Sequence, residues 1–224
     1  MSKRIVGRRE LTTSQQDYLK ALFHLGGADA PVAGTRLAVR LRVSPASATQ
    51  MVSKLAALGL VFADRYRGTQ LTPEGLSMAV EMVRHHRLLE MFLVEKLGYN
   101  WDEVHEEAER LEHVISERME ERIFDVLGQP DLDPHGDPIP SLSGEIVDTD
   151  YRRLADTREG ERVAVRRVSD ADPGKLRVLD RLGLRLGTNL EVVAESEYES
   201  PVEIRVEGRR RQVPLGIARV VYVK

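Results

Sequence analysis

Residues 105–113 read HEEAERLEH, a spacing suited to a cation site. On an α-helix His105, Glu109, Glu112 and His113 stand at i, i+4, i+7 and i+8, so all four side chains leave one face. His86 and Glu90 repeat the i, i+4 interval about one turn before an earlier helical stretch ends. Imidazoles and carboxylates without any thiol form a borderline-to-hard donor set for a divalent cation. Glu109 and Glu112 alone would describe a solvated surface. The histidines beside them, and the second pair in a neighbouring helix, favour ligands. Rival chemistries do not fit the spacing. HEEAE lacks the second His of a zinc-protease helix. A di-iron bundle needs Glu and His three apart, whereas Glu109 and His113 are four apart and the His86–Glu90 order is reversed. No serine stands in a G-x-S-x-G elbow, so no catalytic site is expected and the chain does not read as an enzyme.

The elements around these residues begin with an amphipathic helix at 13–25, capped by Thr13 or Ser14 and ended by Gly26 and Gly27. A short helix over 35–42 and a tight turn lead to Ser44, which caps a second helix with Pro45 at its first position and Gly59 after its end. LVFADRYRGTQLTP then reads as two strands around Arg67-Gly68. This is a winged helix-turn-helix pattern, in which the second helix offers its first turns to the major groove. Ser44, Pro45, Ala46, Ser47, Thr49 and Gln50 hold those positions. Gln50 can pair bidentately with adenine, and Pro45 or Ala46 can touch a thymine methyl. Arg36, Lys54, Arg65 and Arg67, with Arg42, are the expected phosphate contacts. Winged helices also serve as protein-interaction modules, but the small, polar recognition surface argues for DNA.

Thr72-Pro73 opens a long helix through the His85-His86 pair to about Gly98, and a further helix is expected over roughly 102–127. Leu88, Leu89, Phe92, Leu93, Leu97 and Trp101 give these two more apolar surface than the pair can bury, and either a subunit contact or packing on the first helix would take it up. GQPDLDPHGDPIPSLSG has the composition of a linker. Four or five alternating strands and a short helix near 173–182 follow, suggesting a small antiparallel barrel. The expected domains are a winged helix-turn-helix at 1–76, a helical metal-binding and dimerisation domain at 77–127, a Pro-rich linker at 128–152 and a strand-rich domain at 153–224.

The charge distribution agrees with that division. The net charge of −3 hides a basic segment 1–76, with 11 Lys and Arg against 5 Asp and Glu, beside an acidic segment 77–127, with 6 against 13. Phosphate binding in the first and cation binding in the second would each be served. The absence of cysteine excludes disulfides, zinc fingers and thiol catalysis. MSKRIVGRRE is basic with no apolar run behind it, and no stretch approaches a transmembrane length, so a soluble, cytoplasmic protein with no membrane partner is expected.

R-H-H-R-L-L-E at 84–90 and V-H-E-E-A-E-R-L-E-H at 104–113, set between the winged helix and the Pro-rich stretch, resemble the diphtheria toxin repressor and manganese transport regulator family of metal-dependent transcriptional repressors. The resemblance spans essentially the whole chain. DADPGKLRVLDRLGL further resembles the small barrel domain of ferrous-iron transport accessory proteins. The implied fold is multidomain and mainly α, with a C-terminal SH3-like β-barrel. The implied primary site is Asp17, Glu109, Glu112 and His113. The implied ancillary site is His86, Glu90 and His105, completed from the C-terminal domain by Asp172, or by its neighbour Asp170. Iron-type members carry Met and Cys where this chain has Asp17 and Glu109, so the resemblance favours Mn²⁺, with Fe²⁺ as the alternative. Manganese-type members carry a second carboxylate where this chain has Lys20, whose ammonium opposes a close pair of cations; two separated sites are expected. The implied function is a homodimeric repressor of metal-uptake genes that binds double-stranded operator DNA when loaded. A winged-helix regulator controlled by a small organic ligand is the alternative. The barrel's part stays open between ligand donor, peptide binder and spacer.

Overall fold

The computed structural model describes residues 11–196 and 198–224; the basic stretch 1–10 lies outside them. The chain divides into two compact units. Among the described residues the first draws on 11–86, Glu112–Ile115 and Pro140–Glu145, and the second on Arg87–Leu111, Ser116–Ile139 and the rest from Ile146 on.

In the first unit, α1 (Thr13–His24) starts one residue earlier than its sequence suggests. Thr12 is the cap, and it forms a reciprocal capping box with Gln15. α2 (Gly34–Leu41) and α3 (Pro45–Ala57) follow, with the Ser44 hydroxyl accepting from the Ser47 amide at 3.1 Å as expected. Ala48, Val52 and Leu55 turn α3 inward onto a core with Leu19, Leu22, Leu37 and Leu60. β1 (Val61–Asp64) and β2 (Gly68–Leu71) form the wing, paired antiparallel from Val61↔Leu71 to Asp64↔Gly68. Its tip is fixed by Asp64, whose Oδ1 accepts from the Tyr66 and Arg67 amides, both at 2.8 Å. Gly68 is required there: its φ is +112°, and a Cβ would lie 2.4 Å from the Val32 carbonyl. α4 (Pro73–Leu97) begins with Thr72 Oγ1 accepting from the Gly75 amide.

The second unit takes α4 from Arg87 onward, α5 (Val104–Leu111) and α6 (Glu117–Val126). The single helix expected over 102–127 is therefore two. Ser116 accepts from the Met119 amide and starts α6 afresh, leaving Glu112 and His113 in a turn after α5 and not on its face. The Pro-rich stretch is not a free tether, since Asp133, His135 and Ile139 are buried. Arg87 Nη1 donates to the Pro138 carbonyl at 2.5 Å, and its Nη2 donates to Asp137 Oδ1 at 3.3 Å.

The C-terminal part runs β3 (Arg152–Arg153), β4 (Arg162–Val168), α7 (Pro173–Arg181), β5 (Asn189–Ala194), β6 (Val202–Val206), β7 (Arg209–Val213), α8 (Leu215–Ala218) and β8 (Val221–Val223). The strands form one antiparallel sheet in the order β3-β8-β4-β5-β6-β7, around a core of Leu154, Val165, Leu179, Ile204 and Val221. Among the described residues no pairing closes β3 onto β7, so the sheet is open where a barrel was expected. β7 is the strand its sequence conceals. RRRQV has no apolar alternation, yet the Glu207-Gly208 turn, with φ of +49° and +78°, folds it back onto β6 as an edge. Among the described residues no helix is long and apolar enough to cross a membrane.

Candidate metal centres and nucleic-acid interface

In the first unit, Asp17 on α1 meets the turn that follows α5. His113 Nε2 lies 3.0 Å from Asp17 Oδ1 and 3.5 Å from Glu112 Oε1. The His113 Nδ1 donates to Gln16 Oε1 at 2.7 Å, so the amide of the neighbouring α1 residue orients the ring and leaves Nε2 facing the carboxylates. Gln16 carries no spacing signal that links it to His113. Glu112 is wholly buried. Its Oε1 lies 2.5 Å from Lys20 Nζ, its Oε2 lies 2.5 Å from His86 Nδ1, and its backbone carbonyl lies 3.3 Å from His85 Nδ1. Asp17, Glu112 and His113 thus offer ligand atoms within 4.8 Å of one another. Two carboxylates and an imidazole fit a divalent cation of the harder kind.

In the second unit, Glu90 is wholly buried on α4 and faces two imidazoles. Its Oε1 lies 3.2 Å from His105 Nδ1 and its Oε2 lies 3.5 Å from His135 Nδ1. His105 Nδ1 also lies 3.1 Å from Asp170 Oδ2, while its Nε2 lies 3.7 Å from Glu109 Oε1, one turn along α5. Glu90, His105 and Asp170 bring ligand atoms within 4.8 Å of one another, and so do Glu90, Asp133 and His135. Asp170 is therefore the C-terminal carboxylate that reaches this cluster. The expected Asp172 is engaged elsewhere: its Oδ1 accepts from the Gly174 amide at 2.9 Å and caps α7.

Asp133 and His135 were not among the expected ligands, because they sit in the Pro-rich stretch. A tight turn presents them. Asp133 Oδ1 accepts from the His135 and Asp137 amides at 2.8 and 2.9 Å. Gly136, with φ of +87°, passes so close to the Arg166 carbonyl that a Cβ would lie 2.2 Å from it. The His135 ring stacks on Trp101, with centroids 5.9 Å apart, and its Nε2 lies 2.7 Å from the Trp101 carbonyl. Nε2 therefore donates, and Nδ1 faces Glu90. The signal was present in D-L-D-P-H-G-D-P, a histidine flanked by acids, but the prolines outweighed it.

The charges of this cluster are far from balanced. Burial opposes the charged form of His105, yet the Asp170 and Glu90 carboxylates hold its pKa up at about 10. His135 is likewise desolvated and is held at about 9, chiefly by Glu90. Burial, then the charges of Glu90 and Asp137, push Asp133 up to about 8. Asp170 is desolvated too, but the His105 hydrogen bond brings it down to about 2. Asp133 and Asp170 each share a set of ligand atoms with Glu90, and positive charge comes from protons on the imidazoles and from Arg87, 3.7 Å from Asp133. Such a donor set fits a divalent cation.

The expected DNA-facing residues are all on the surface. Arg36 on α2, Ser44, Pro45, Ala46, Ser47, Thr49, Gln50 and Lys54 along α3, and Arg65 and Arg67 at the wing tip are exposed. Thr49 Oγ1 donates to the Pro45 carbonyl at 2.9 Å. Tyr66, between the two wing arginines, is 91% exposed.

A winged helix with carboxylate–imidazole clusters defines a cation-responsive DNA-binding regulator. Residues 10–69 match the family model "Iron dependent repressor, N-terminal DNA binding domain", residues 72–141 match "Iron dependent repressor, metal binding and dimerisation domain", and residues 152–224 match the FeoA domain. The iron-dependent repressor IdeR of Mycobacterium tuberculosis is 32% identical, across 96% of this chain and 98% of its own. The diphtheria toxin repressor of Corynebacterium efficiens is also 32% identical, across 84% of this chain and 86% of its own. A solved manganese-dependent transcriptional repressor in complex with manganese superposes with a TM-score of 0.86 at 40% identity, covering 93% of this chain and 98% of that one. ScaR with bound Zn²⁺ gives 0.78 at 34% identity, covering 94% and 98%. The chain belongs to the diphtheria toxin repressor family of metal-dependent transcriptional repressors. Its members are regulators and not enzymes.

Proposed function

We propose that the chain works in the cytoplasm as a homodimeric repressor of metal-uptake genes, binding double-stranded operator DNA when loaded with Mn²⁺, or alternatively Fe²⁺. The observation that carries this reading is the 3.0 Å approach of Asp17 to His113. Asp17 lies in the stretch that matches the DNA-binding model, and His113 lies in the stretch that matches the metal-binding one. Asp17, Glu112 and His113 would hold one cation, with Glu109, four residues before His113, as a further ligand. Glu90, His105, Asp170, Asp133 and His135 would hold another, with His86, one turn before Glu90, as a further ligand. Carboxylates at Asp17 and Glu109 favour Mn²⁺, and the 40%-identical solved relative is itself described as manganese-dependent.

A bound cation would supply ligand bonds between α1 and the turn that carries Glu112 and His113. Asp17 then fixes α1, and α1 shares its core with α3, so the exposed first turns of α3 keep one orientation. In a dimer that orientation sets the spacing of two recognition helices against half-sites roughly 34 Å apart. Gln50 reads a base edge, while Arg36, Lys54, Arg65 and Arg67 neutralise phosphates. The switch is limited by the difference in cation affinity between the DNA-competent and incompetent states. A thousandfold preference gives about 4 kcal/mol.

The test is DNA binding to the protein's own promoter region in EDTA and then with Mn²⁺, anaerobic Fe²⁺ or Zn²⁺. Binding that needs metal and appears at the lowest concentration with Mn²⁺ is expected. Equal binding in EDTA would overturn the reading in favour of an organic effector.

A further inference from the structure

Lys20 is a buried ammonium placed among cation ligands. Its side chain is 10% exposed, and Nζ lies 2.5 Å from Glu112 Oε1. That oxygen is also the one 3.5 Å from His113 Nε2, which is 3.0 Å from Asp17 Oδ1. The second oxygen of Glu112 is met by His86. A divalent cation bound by Asp17, Glu112 and His113 would have to draw on a carboxylate whose oxygens already face a fixed positive charge and an imidazole. A lysine ammonium is a compact point charge with no lone pair, so it can compete for the carboxylate but never join the coordination shell. With Glu109 as the further ligand proposed above, the carboxylates bring three negative charges, which a divalent cation and Lys20 together neutralise. Without the ammonium the loaded site would keep one negative charge to hold the ion.

We propose that Lys20 is a tethered cation that occupies the Glu112 end of this site and sets its metal threshold. The inference rests on the reading above that Asp17, Glu112 and His113 bind metal. The ammonium keeps the buried carboxylate neutralised in the metal-free protein, so the site is preformed but its affinity is held down. The site then fills only when the free ion is abundant, as a sensor of surplus requires. Repulsion between a divalent ion and an ammonium at contact range, even at the dielectric constant of water, changes affinity by on the order of tenfold or more. Removing the charge should therefore tighten binding, the opposite of what loss of a merely structural residue would do.

The experiment is equilibrium dialysis of Mn²⁺ with the full-length chain, stripped by chelator, in a His105→Ala background that weakens the Glu90 cluster. Lys20→Gln keeps a hydrogen-bond donor for Glu112 without the charge, and Lys20→Met keeps only the apolar stem. Both should bind Mn²⁺ about tenfold or more tightly, or take up one additional ion per chain. Lys20→Arg, which keeps the charge, should not. Unchanged or weaker binding in Lys20→Gln, with the variant's thermal unfolding still cooperative, overturns the proposal. His113→Ala in the same background is the separate check on the site. Unchanged Mn²⁺ binding there would mean that Asp17, Glu112 and His113 do not hold the ion, and the role given to Lys20 would fall with that reading.

Discussion

The Asp17 and Glu90 clusters use the same side-chain types but balance their charge differently. Beside Asp17, the buried carboxylate of Glu112 is met by Lys20, a positive charge covalently tied to α1. Around Glu90 itself, positive charge comes from protons on His105 and His135, whose pKa values stand at about 10 and about 9, while Arg87, 3.7 Å from Asp133, stands on the far side of that carboxylate. A tethered charge must be pushed aside by an incoming ion, whereas a proton can leave. Two clusters in one chain can thus answer the same ion with different thresholds and different pH dependences.

The sharpest way to break this contrast is Glu90→Ala. Glu90 is common to both ligand triples of its cluster, so Mn²⁺ binding there should weaken on the order of 100-fold or more, with binding at Asp17 retained. Equilibrium dialysis showing one of two ions lost is the expected result; loss of both would mean the clusters are not independent. His135→Ala should cost less, roughly 10–100-fold at the Glu90 cluster alone. Undiminished binding in that variant would return the 133–137 turn to a purely structural role.

The smallest effect separates the clusters by protons. At pH near 7 cation binding at Glu90 should expel protons from His105 and His135, so affinity there rises with pH. Calorimetry in two buffers of different ionisation enthalpy measures the release, and His105→Ala should reduce it. No net release in the unaltered chain would erase the distinction. The sign for folding is opposite. Raised histidine pKa values stabilise the metal-free fold fully below the ordinary value near 6.5. That contribution is lost as pH rises through about 9 and about 10.

The parts legible in the sequence were those set by local chemistry. Ser44-Pro45 and Gly59 bracket α3, and Thr72-Pro73 opens α4, because caps and breakers act over a few residues. Asp172 belonged to that class as well. Standing just before Pro173, it is a helix cap by local rule, and Asp170 is the carboxylate that faces His105. The break at Ser116 was readable in the same way but was overridden by the continuous run of acidic and apolar residues. Other parts depend on distant partners. Asp133 and His135 reach Glu90 only because Arg87 and the close pass of Gly136 fold a proline-rich stretch inward. Gln16 orients a histidine 97 residues away, and no periodicity reports that.

Arg84 and Arg87, one turn apart on α4, donate to the main-chain carbonyls of Pro140 and Pro138, both at 2.5 Å. A grip on carbonyl oxygens does not discriminate among side chains. The stretch from 130 to 141 can therefore diverge in sequence without losing its place, provided that Asp133, His135, Gly136 and Asp137, whose carboxylate also accepts from Arg87 and Arg167, persist. Among relatives the segment should look like an unconstrained spacer except at these four positions, and a scan for tolerated substitutions would find the candidate site hidden there.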